Sequence, residues 1–590
     1  MTPTRDTYLL LRAFVDELAR CGMRAACTSP GSRSTPLALS LAREERLRCF
    51  SHIDERCSSF FALGLAKATG LPVAITCTSG TAVAELLPAA IEAQEARVPL
   101  LLLTADRPPE LRENGAGQAI DQIKIFGSAA KWFFEVGNHE ASPERLRWMR
   151  TLACRAYWSA LEGRPGAVHL NFPLREPLVL EDEELPEDPS GRPDGLPFVR
   201  RSPLTSGNAV ESENLRRLLA GANRGVVVAG RHERDTPLPE AVAHFAERLG
   251  WPLLADPLSR ARRGPAAIAH YDAFLRDLDL ASSLRPDLVL RVGDLPVSKP
   301  LRGWLGGLEG VTQVALDPEG AWQDPDSVLT HSFALEPAGA LSELSEALSS
   351  PDVEEVDGDW LGSWRRADEL AAEAIVGALA EGGLSEPLLA GELGVLLPEE
   401  STLFVASSMP VRDIETFWPA RDDPPRVLCN RGANGIDGTV SSAFGAAAAG
   451  EGTVVLLIGD VALAHDIGGL LAAGRLQLKL TIVLIDNGGG GIFDFLPISK
   501  APMALGPDLQ GEESIFARHV STATGLDFAR AADLYGLVHE RVAETNDFRA
   551  ALERSLAGEG SSIIEVRTQR SENVELHRHV WKAVSEQLKS

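Results

Sequence analysis

Short, almost wholly apolar runs recur along this chain, and each ends in a polar or glycine-containing turn. PVAITCT (72–78), VPLLLLTAD (98–106), GVVVAG (225–230), DLVLRVGD (287–294), TVVLLIGD (453–460) and KLTIVLIDN (479–487) are of strand length. Ala25–Thr28, Leu47–Ile53, PLLAD (252–256), VTQVALD (311–317), TLFVASS (402–408) and SSIIEV (561–566) extend the series. A strand apolar on both sides has to be covered on both faces, which is the condition of a parallel sheet flanked by helices. The stretches between agree: Arg5–Arg20 has helical apolar spacing, another helix runs from Asp54 through FFALGLAKATG, and TSGTA opens a third. Residues 181–204 and 349–359 are acidic and rich in turn formers, bury no apolar face and are expected to be linkers. The expected fold is therefore α/β: three doubly wound domains with parallel sheets, over 1–180, 205–348 and 360–590. No short internal repeat of the solenoid kind is visible.

Several function classes fall away on composition. With 57 basic and 83 acidic residues the formal net charge is −26, which repels nucleic acid and anionic membrane. No apolar run reaches the roughly 18 residues of a membrane-spanning helix. MTPTRDTYLLLRAFVDELARCG has acids inside its apolar stretch and suggests an amphipathic helix rather than a signal peptide. The 7 cysteines form no CxxC pair, so neither a disulfide framework nor a structural zinc site is indicated. A cytoplasmic protein is expected.

In doubly wound sheets ligands bind beyond the carboxyl ends of the strands, so the residues just after each apolar run carry the most information. Asp460 follows TVVLLIG and Asn487 follows the next run, one strand–helix–strand unit later. Either turn alone is unremarked. On paired strand ends, a carboxylate, an amide oxygen and carbonyls from GGGG (488–491) suit a hard cation such as Mg²⁺ bridging to a diphosphate. Competing phosphate motifs fail: no GxGxxG follows a strand, and GAAAAGEG (445–452) has Glu451 where a P-loop needs lysine. Glu55 opens a helix, where the dipole alone would favour it; a cofactor contact would need a desolvated site with a raised pKa. The turns SPGSRS (29–34) and TSGTA (78–82) suggest helix caps. Arg33, Arg107, Arg412 and Arg431 sit at strand-end loops, and together they suggest a small, multiply anionic substrate. The basic run Arg260, Arg262 and Arg263 is open between a regulatory anion site and a solvated loop.

These residues carry a resemblance. The GD and DNGG strand ends, with a glutamate early in the first α/β segment, resemble the thiamine diphosphate enzymes. Within them, TSPGSRSTPLALS, HIDERCSSFFALGLAKATG, TSGTAVAELLPAAIEA, LLLTADRPPELRENGAGQAIDQ, NRGANGIDG and GGGGIFDFLP are similar to the MenD family of the menaquinone pathway. The likeness runs from about residue 8 onward, dense in the first and third segments. In the second it rests on SKP (298–300) and DPLSRARRG (256–264). It implies pyrimidine-binding, central and diphosphate-binding domains in that order. It also implies a transferase that decarboxylates 2-oxoglutarate and adds the resulting succinyl-semialdehyde carbanion to isochorismate. The alternatives are another thiamine diphosphate 2-oxo-acid decarboxylase or carboligase, or a non-catalytic binder of the cofactor.

The same resemblance implies roles for individual residues. Glu55 would be catalytic, bonding the cofactor's aminopyrimidine; Thr81 and Ser408 would contact the cofactor, and Ile436 would hold it bent. Asp460, Asn487 and the Gly489 carbonyl would hold Mg²⁺ or Mn²⁺. Arg412 and Arg431 are assigned to 2-oxoglutarate, and Ser32, Arg33, Arg107, Gln118 and Lys299 to isochorismate, with Ile492, Phe493 and Leu496 lining the pocket. A homodimer is the implied minimum, with a tetramer common in the family. The chain departs from relatives in reading GDV for GDG and DN for NN. Gly117 replaces a frequent asparagine, and Pro300 an arginine for which Arg302 is a candidate substitute.

Overall fold

The computed structural model describes residues 3–180, 186, 190–201, 209–232, 234, 236–348, 359–380, 382–509 and 513–589. Most of the expected linker 349–359, and residues 181–185, 187–189 and 202–204 of the other, lie outside the described residues.

Three parallel sheets organise the chain. The first contains β1 (Ala25–Thr28), β2 (Arg48–Ser51), β3 (Val73–Cys77), β4 (Leu100–Asp106), β5 (Ala130–Glu135) and β6 (Ala167–Pro173), in the order β2-β1-β3-β4-β6-β5. The second contains β7 (Gly225–Ala229), β8 (Leu253–Ala255), β9 (Leu288–Val292), β10 (Thr312–Leu316) and β11 (His331–Phe333), in the order β11-β10-β9-β7-β8. The third contains β12 (Thr402–Val405), β13 (Arg426–Leu428), β14 (Val454–Gly459), β15 (Thr481–Asp486), β16 (Val538–Val542) and β17 (Ser562–Arg567), in the order β13-β12-β14-β15-β17-β16. The first and third sheets thus share one winding, and all three reverse direction between their first and third strands. That reversal is the switch point at which doubly wound folds open a crevice for ligand.

The apolar runs are the central strands, and they are buried along their whole length: VAITC, LLLLTAD and VVLLI contain no exposed residue. The strands that the apolar pattern passes over have physical reasons for it. β5, β11, β13 and β16 are sheet edges, with one side free of a neighbour. β6 is interior, but its apolar run is broken by His169 and Asn171. Both are buried and hydrogen-bonded within the sheet: His169 Nε2 lies 2.7 Å from Thr104 Oγ1, and Asn171 donates at 2.8 Å to Asp106 and to Glu135. A paired polar group is tolerated in a core where a lone one is not.

By packing, the chain divides into two compact units. One comprises 1–203, 430–450 and 465–480; the other comprises 204–429, 451–464 and 481–590. In the first unit the helix Glu55–Thr69 crosses the helix Thr439–Ala448 at backbone contact. A Cβ on Gly64 would meet the Ser442 carbonyl oxygen at 1.9 Å, and one on Gly445 would meet that of Phe61 at 2.0 Å. Residues 190–201 of the expected linker are also bound in this unit. The Phe198 amide donates to buried Glu17, the Arg20 guanidinium donates to the Arg192 carbonyl at 2.9 Å, and Trp158 Nε1 donates to the Val199 carbonyl at 3.0 Å. In the second unit one apolar cluster runs from Val226 and Val289 through Trp364 to Val455 and Val483. Arg262 is buried within it and donates to the carbonyls of Ala255, Glu415 and Trp418 at 2.7–3.0 Å. Arg262 is therefore a structural pin, neither a solvated charge nor an open anion site.

Gly64→Ala should destabilise the protein by about 1–3 kcal/mol, since no rotamer change relieves a backbone clash. Gly377→Ala, with nothing within 4 Å in the exposed face of the helix Trp360–Ala380, should stabilise by about 0.5–1 kcal/mol. Urea denaturation midpoints moving in opposite directions would bear this out; equal shifts would contradict the close crossing.

Candidate active site

In the second unit the ladder between β14 and β15 sets Gly459 level with Ile485. Asp460 and Asn487 therefore leave adjacent parallel strands at the same edge of the sheet. The Asp460 side chain is 1 % exposed. Burial pushes its carboxyl up to about 6, Asp486 reinforces the shift, and the amides of Val461 and Gly489 oppose it. Asp460 Oδ2 and Asn487 Oδ1 are both buried without a hydrogen-bond partner among the described residues. Asn487 Nδ2, by contrast, donates to Glu386 Oε1 at 3.0 Å. Gly489 has φ +138°, and a Cβ there would come within 2.6 Å of the Ser521 carbonyl oxygen. The position admits glycine alone and leaves its backbone open beside the two orphaned oxygens. An all-oxygen donor set of this kind fits a hard divalent cation.

The switch point of the third sheet lies between β12 and β14. Ser408, just beyond β12, begins the helix Met409–Phe417 with φ 78° and ψ −132°, a conformation that strains a residue bearing a Cβ. Arg412, one turn along, donates to the Ser408 carbonyl. Ile492 and Phe493 are half-buried in the turn Gly491–Phe495, directly after the glycines. Leu496 is 44 % exposed. Lys299, the first residue of the helix Lys299–Gly306 after β9, is exposed and belongs to the second sheet. Arg302 donates to the backbone carbonyls of Pro296 and Leu295. Its guanidinium thus already serves to hold that loop, which argues against Arg302 as the substitute for the missing arginine.

In the first unit the equivalent switch point, between β1 and β3, gathers Ser32, Arg33 and Thr81, with Arg107 from the end of β4. Arg33 is buried; it donates to the Leu174 carbonyl at 2.7 Å and to Glu176 at 2.9 Å. Arg107 donates to buried Ser79, and burial together with the nearby Arg33 charge pushes its pKa down. The Arg33 charge disfavours that of Arg107, while Arg33 itself is paired with Glu176. Gln118, at φ 56°, lies beside Gly80 in the same turn cluster, and Gly117 has open space around it. Ser32 and Thr81 are exposed. The turns do not cap their helices as expected: Ser34 makes no side-chain cap bond, and the residue before Thr81 is Gly80.

Glu55 is half-buried at the head of its helix, whose cap is Asp54 accepting from the Cys57 amide at 3.0 Å. Burial raises its pKa, and Asp54 and Glu85 add to the effect. The loop carrying Arg431 and Ile436 is tied down by Glu92, whose carboxylate accepts from the amides of Gly432 at 2.9 Å and Ala433 at 2.6 Å. Nothing in the sequence flagged Glu92, Glu386 or the strain at Ser408. Glu92 sits within the quoted segment TSGTAVAELLPAAIEA and Glu386 opens a helix, both with the look of ordinary helix acids, and φ angles leave no mark on composition.

Comparison with known proteins bears on this arrangement. Residues 10–125 match the thiamine pyrophosphate enzyme N-terminal TPP binding domain, 194–405 the middle domain of thiamine pyrophosphate, and 411–566 the C-terminal TPP binding domain. The chain is 43 % identical over 581 residues to a 2-succinyl-5-enolpyruvyl-6-hydroxy-3-cyclohexene-1-carboxylate synthase of Geobacillus kaustophilus (strain HTA426), covering 98 % of this chain and 97 % of that one. Its identity to the synthase of the same name from Chloroflexus aurantiacus (strain ATCC 29366 / DSM 635 / J-10-fl) is 42 %, over 98 % and 96 % of the two chains. For the Listeria innocua serovar 6a (strain ATCC BAA-680 / CLIP 11262) synthase the figures are 39 %, 98 % and 98 %. The chain belongs to this synthase family.

As a member of the synthase family it is a thiamine diphosphate enzyme with three α/β parts, each built on a parallel sheet. No helix among the described residues is long and apolar enough to cross a membrane. A family site of this kind holds a buried acid that burial disfavours, and the metal-free protein should register the cost. Because the Asp460 carboxyl is raised from 3.8 to about 6, the folded protein binds more protons than the unfolded one between those values. Its contribution to stability therefore falls as pH rises through that window and stays low above it. Without cofactor or metal, Asp460→Asn should be the more stable protein at neutral pH by up to about 2–3 kcal/mol, with the gap closing near pH 4. Thermal melts across that range would reverse the reading if the variant were less stable at neutral pH.

Proposed function

We propose that this chain joins 2-oxoglutarate to isochorismate, releasing CO₂ and giving 2-succinyl-5-enolpyruvyl-6-hydroxy-3-cyclohexene-1-carboxylate for menaquinone biosynthesis. The observation that carries the reading is the pair of orphaned oxygens, Asp460 Oδ2 and Asn487 Oδ1, on neighbouring strand ends. With the Gly489 carbonyl they would hold Mg²⁺ or Mn²⁺ against a diphosphate. Bound thiamine diphosphate supplies the electron sink that lets a 2-oxo acid lose CO₂ and its carbonyl carbon act as a nucleophile.

The protein's own groups bind, orient and move protons. Glu55, half-buried and raised in pKa by burial, would hydrogen-bond the aminopyrimidine ring and favour its imino tautomer. Thr81, Ser408 and Ile436 position the cofactor. Arg412 and Arg431 take the two carboxylates of 2-oxoglutarate, a planar, bidentate match. Arg33 and Arg107, crowded together, receive an isochorismate carboxylate, with Ser32, Gln118 and Lys299 completing that subsite. Ile492, Phe493 and Leu496 exclude water from it. The sequence segments 1–180, 205–348 and 360–590 then serve as pyrimidine-binding, central and diphosphate-binding domains. The functional unit is a cytoplasmic homodimer or homotetramer, with Glu55 of one subunit and Asp460 of another serving one site.

Loss of isochorismate absorbance on adding the protein with thiamine diphosphate, Mg²⁺ and 2-oxoglutarate is the direct test, with pyruvate as the substituted control. Consumption requiring every component and failing with pyruvate is expected. CO₂ release without isochorismate loss would move the acceptor elsewhere. Glu55→Gln should cut turnover by roughly 10²–10⁴-fold without lowering the melting temperature; normal turnover in it would remove Glu55 from the mechanism.

A further inference from the structure

Glu386 is the first residue of the helix Glu386–Leu396, and its side chain is 1 % exposed. A glutamate in a first helical turn is favoured by the dipole, but the dipole does not require burial, and burying a carboxylate is unfavourable unless it is hydrogen-bonded. The bonds here are specific. Glu386 Oε1 accepts from Asn487 Nδ2 at 3.0 Å and from Thr568 Oγ1 at 2.8 Å. Thr568 follows β17, the neighbour of β15 on the far side from β14, so the anchor is built from the same sheet edge as the site.

We propose that Glu386 is a positioning residue that orients the Asn487 amide so that its oxygen, and not its NH₂, is the end left for a metal ion. The inference rests on the reading of Asn487 as a metal ligand. The two ends of an asparagine amide are nearly the same size, and a rotation of the side chain exchanges them. An ionised Glu386 only accepts, so in that form it faces the NH₂ end of Asn487 and the hydroxyl of Thr568; the amide oxygen is thereby turned the other way. That is the observed arrangement, with Nδ2 bonded and Oδ1 buried without a partner among the described residues. Were the amide free to turn, half its orientations would offer two N–H donors to a cation. Groups that orient metal ligands in this way typically carry 10–100-fold of the metal affinity.

The test is titration of the purified protein with Mn²⁺ in the presence of thiamine diphosphate, reading free Mn²⁺ by electron paramagnetic resonance. Glu386→Met removes the acceptor at similar volume and should weaken Mn²⁺ binding by about 10–100-fold. Parent-like affinity in Glu386→Met overturns the proposal. Asn487→Ala separates the two readings: if it leaves Mn²⁺ affinity unchanged, the metal assignment itself fails. If it weakens binding while Glu386→Met does not, only the role of Glu386 fails. Should Glu386→Met not fold, Glu386→Asp keeps the charge but withdraws the acceptor by one carbon, and about tenfold weaker binding is expected; unchanged binding again overturns the proposal.

Discussion

Parallel pairing of β14 with β15, with Gly459 level with Ile485, decides where chemistry can occur in the second unit. In a parallel sheet all carboxyl ends point the same way, so the first residues beyond two neighbouring strands meet at one edge. Asp460 and Asn487 are those residues. A slip of the ladder by one position would carry the side chains at the ends of the strands to opposite faces and separate the two oxygens. The slip is opposed by the strands themselves: VVLLI and IVLI are apolar and buried on both faces, and Thr481 is held to Ser555 at 2.7 Å. Core and site are thus set by one register.

The site concentrates unpaired polar atoms that other core positions supply with partners: Asn171 Nδ2 donates to Asp106 and Glu135, and its Oδ1 accepts from Thr104 and Gln122. At the strand ends of the third sheet, three carboxyl or amide oxygens, on Asp460, Asn487 and Glu386, are buried without partners among the described residues. Ser408 adds a backbone conformation that strains any residue with a Cβ. Such unfavourable terms persist only where the surrounding packing over-determines them, and here that packing is the continuous cluster around Trp364 and Trp418. Glu386 itself, raised to about 7 by burial and by the nearby Asp413, shows how far the local environment departs from water.

What could be read from the residues follows the same physics. Central strands are legible because burial on both faces forces a continuous apolar run, and the positions of Asp460, Asn487 and Arg107 then follow from counting to the end of the run. β6 escaped because its core positions are polar and bonded to partners far away in sequence, Asn171 reaching Glu135 and Gln122. Residues 190–201 carry a linker's composition, yet they lie along the first unit because Glu17 supplies an acceptor for the Phe198 amide. The shared winding of the first and third sheets is invisible for another reason: topology constrains which strands pair, not which apolar residues fill them. Glu386 and Glu92 resemble ordinary helix acids, and only their tertiary partners set them apart.

Two sheets with one winding present different charged groups at their switch points, against the background of an acidic chain. The first presents Arg33 and Arg107; the third presents Asp460 with acceptor oxygens, with Arg412 nearby and the Arg570 guanidinium beside Gly489, 3.5 Å from Asp494. A net charge of −26 would repel dicarboxylates, but at physiological ionic strength its field fades over about 8 Å. Within that distance the local set of charges decides, here Arg33 and Arg107 with Glu176 bonded to Arg33 at 2.9 Å and Asp106 beside Arg107. The acidic surface disfavours polyanions, which cannot fit wholly inside the screened region. An acid and an amide oxygen suit a cation, as guanidiniums suit an anion. One winding, used twice, thus presents two different chemistries through the few residues that follow its strands.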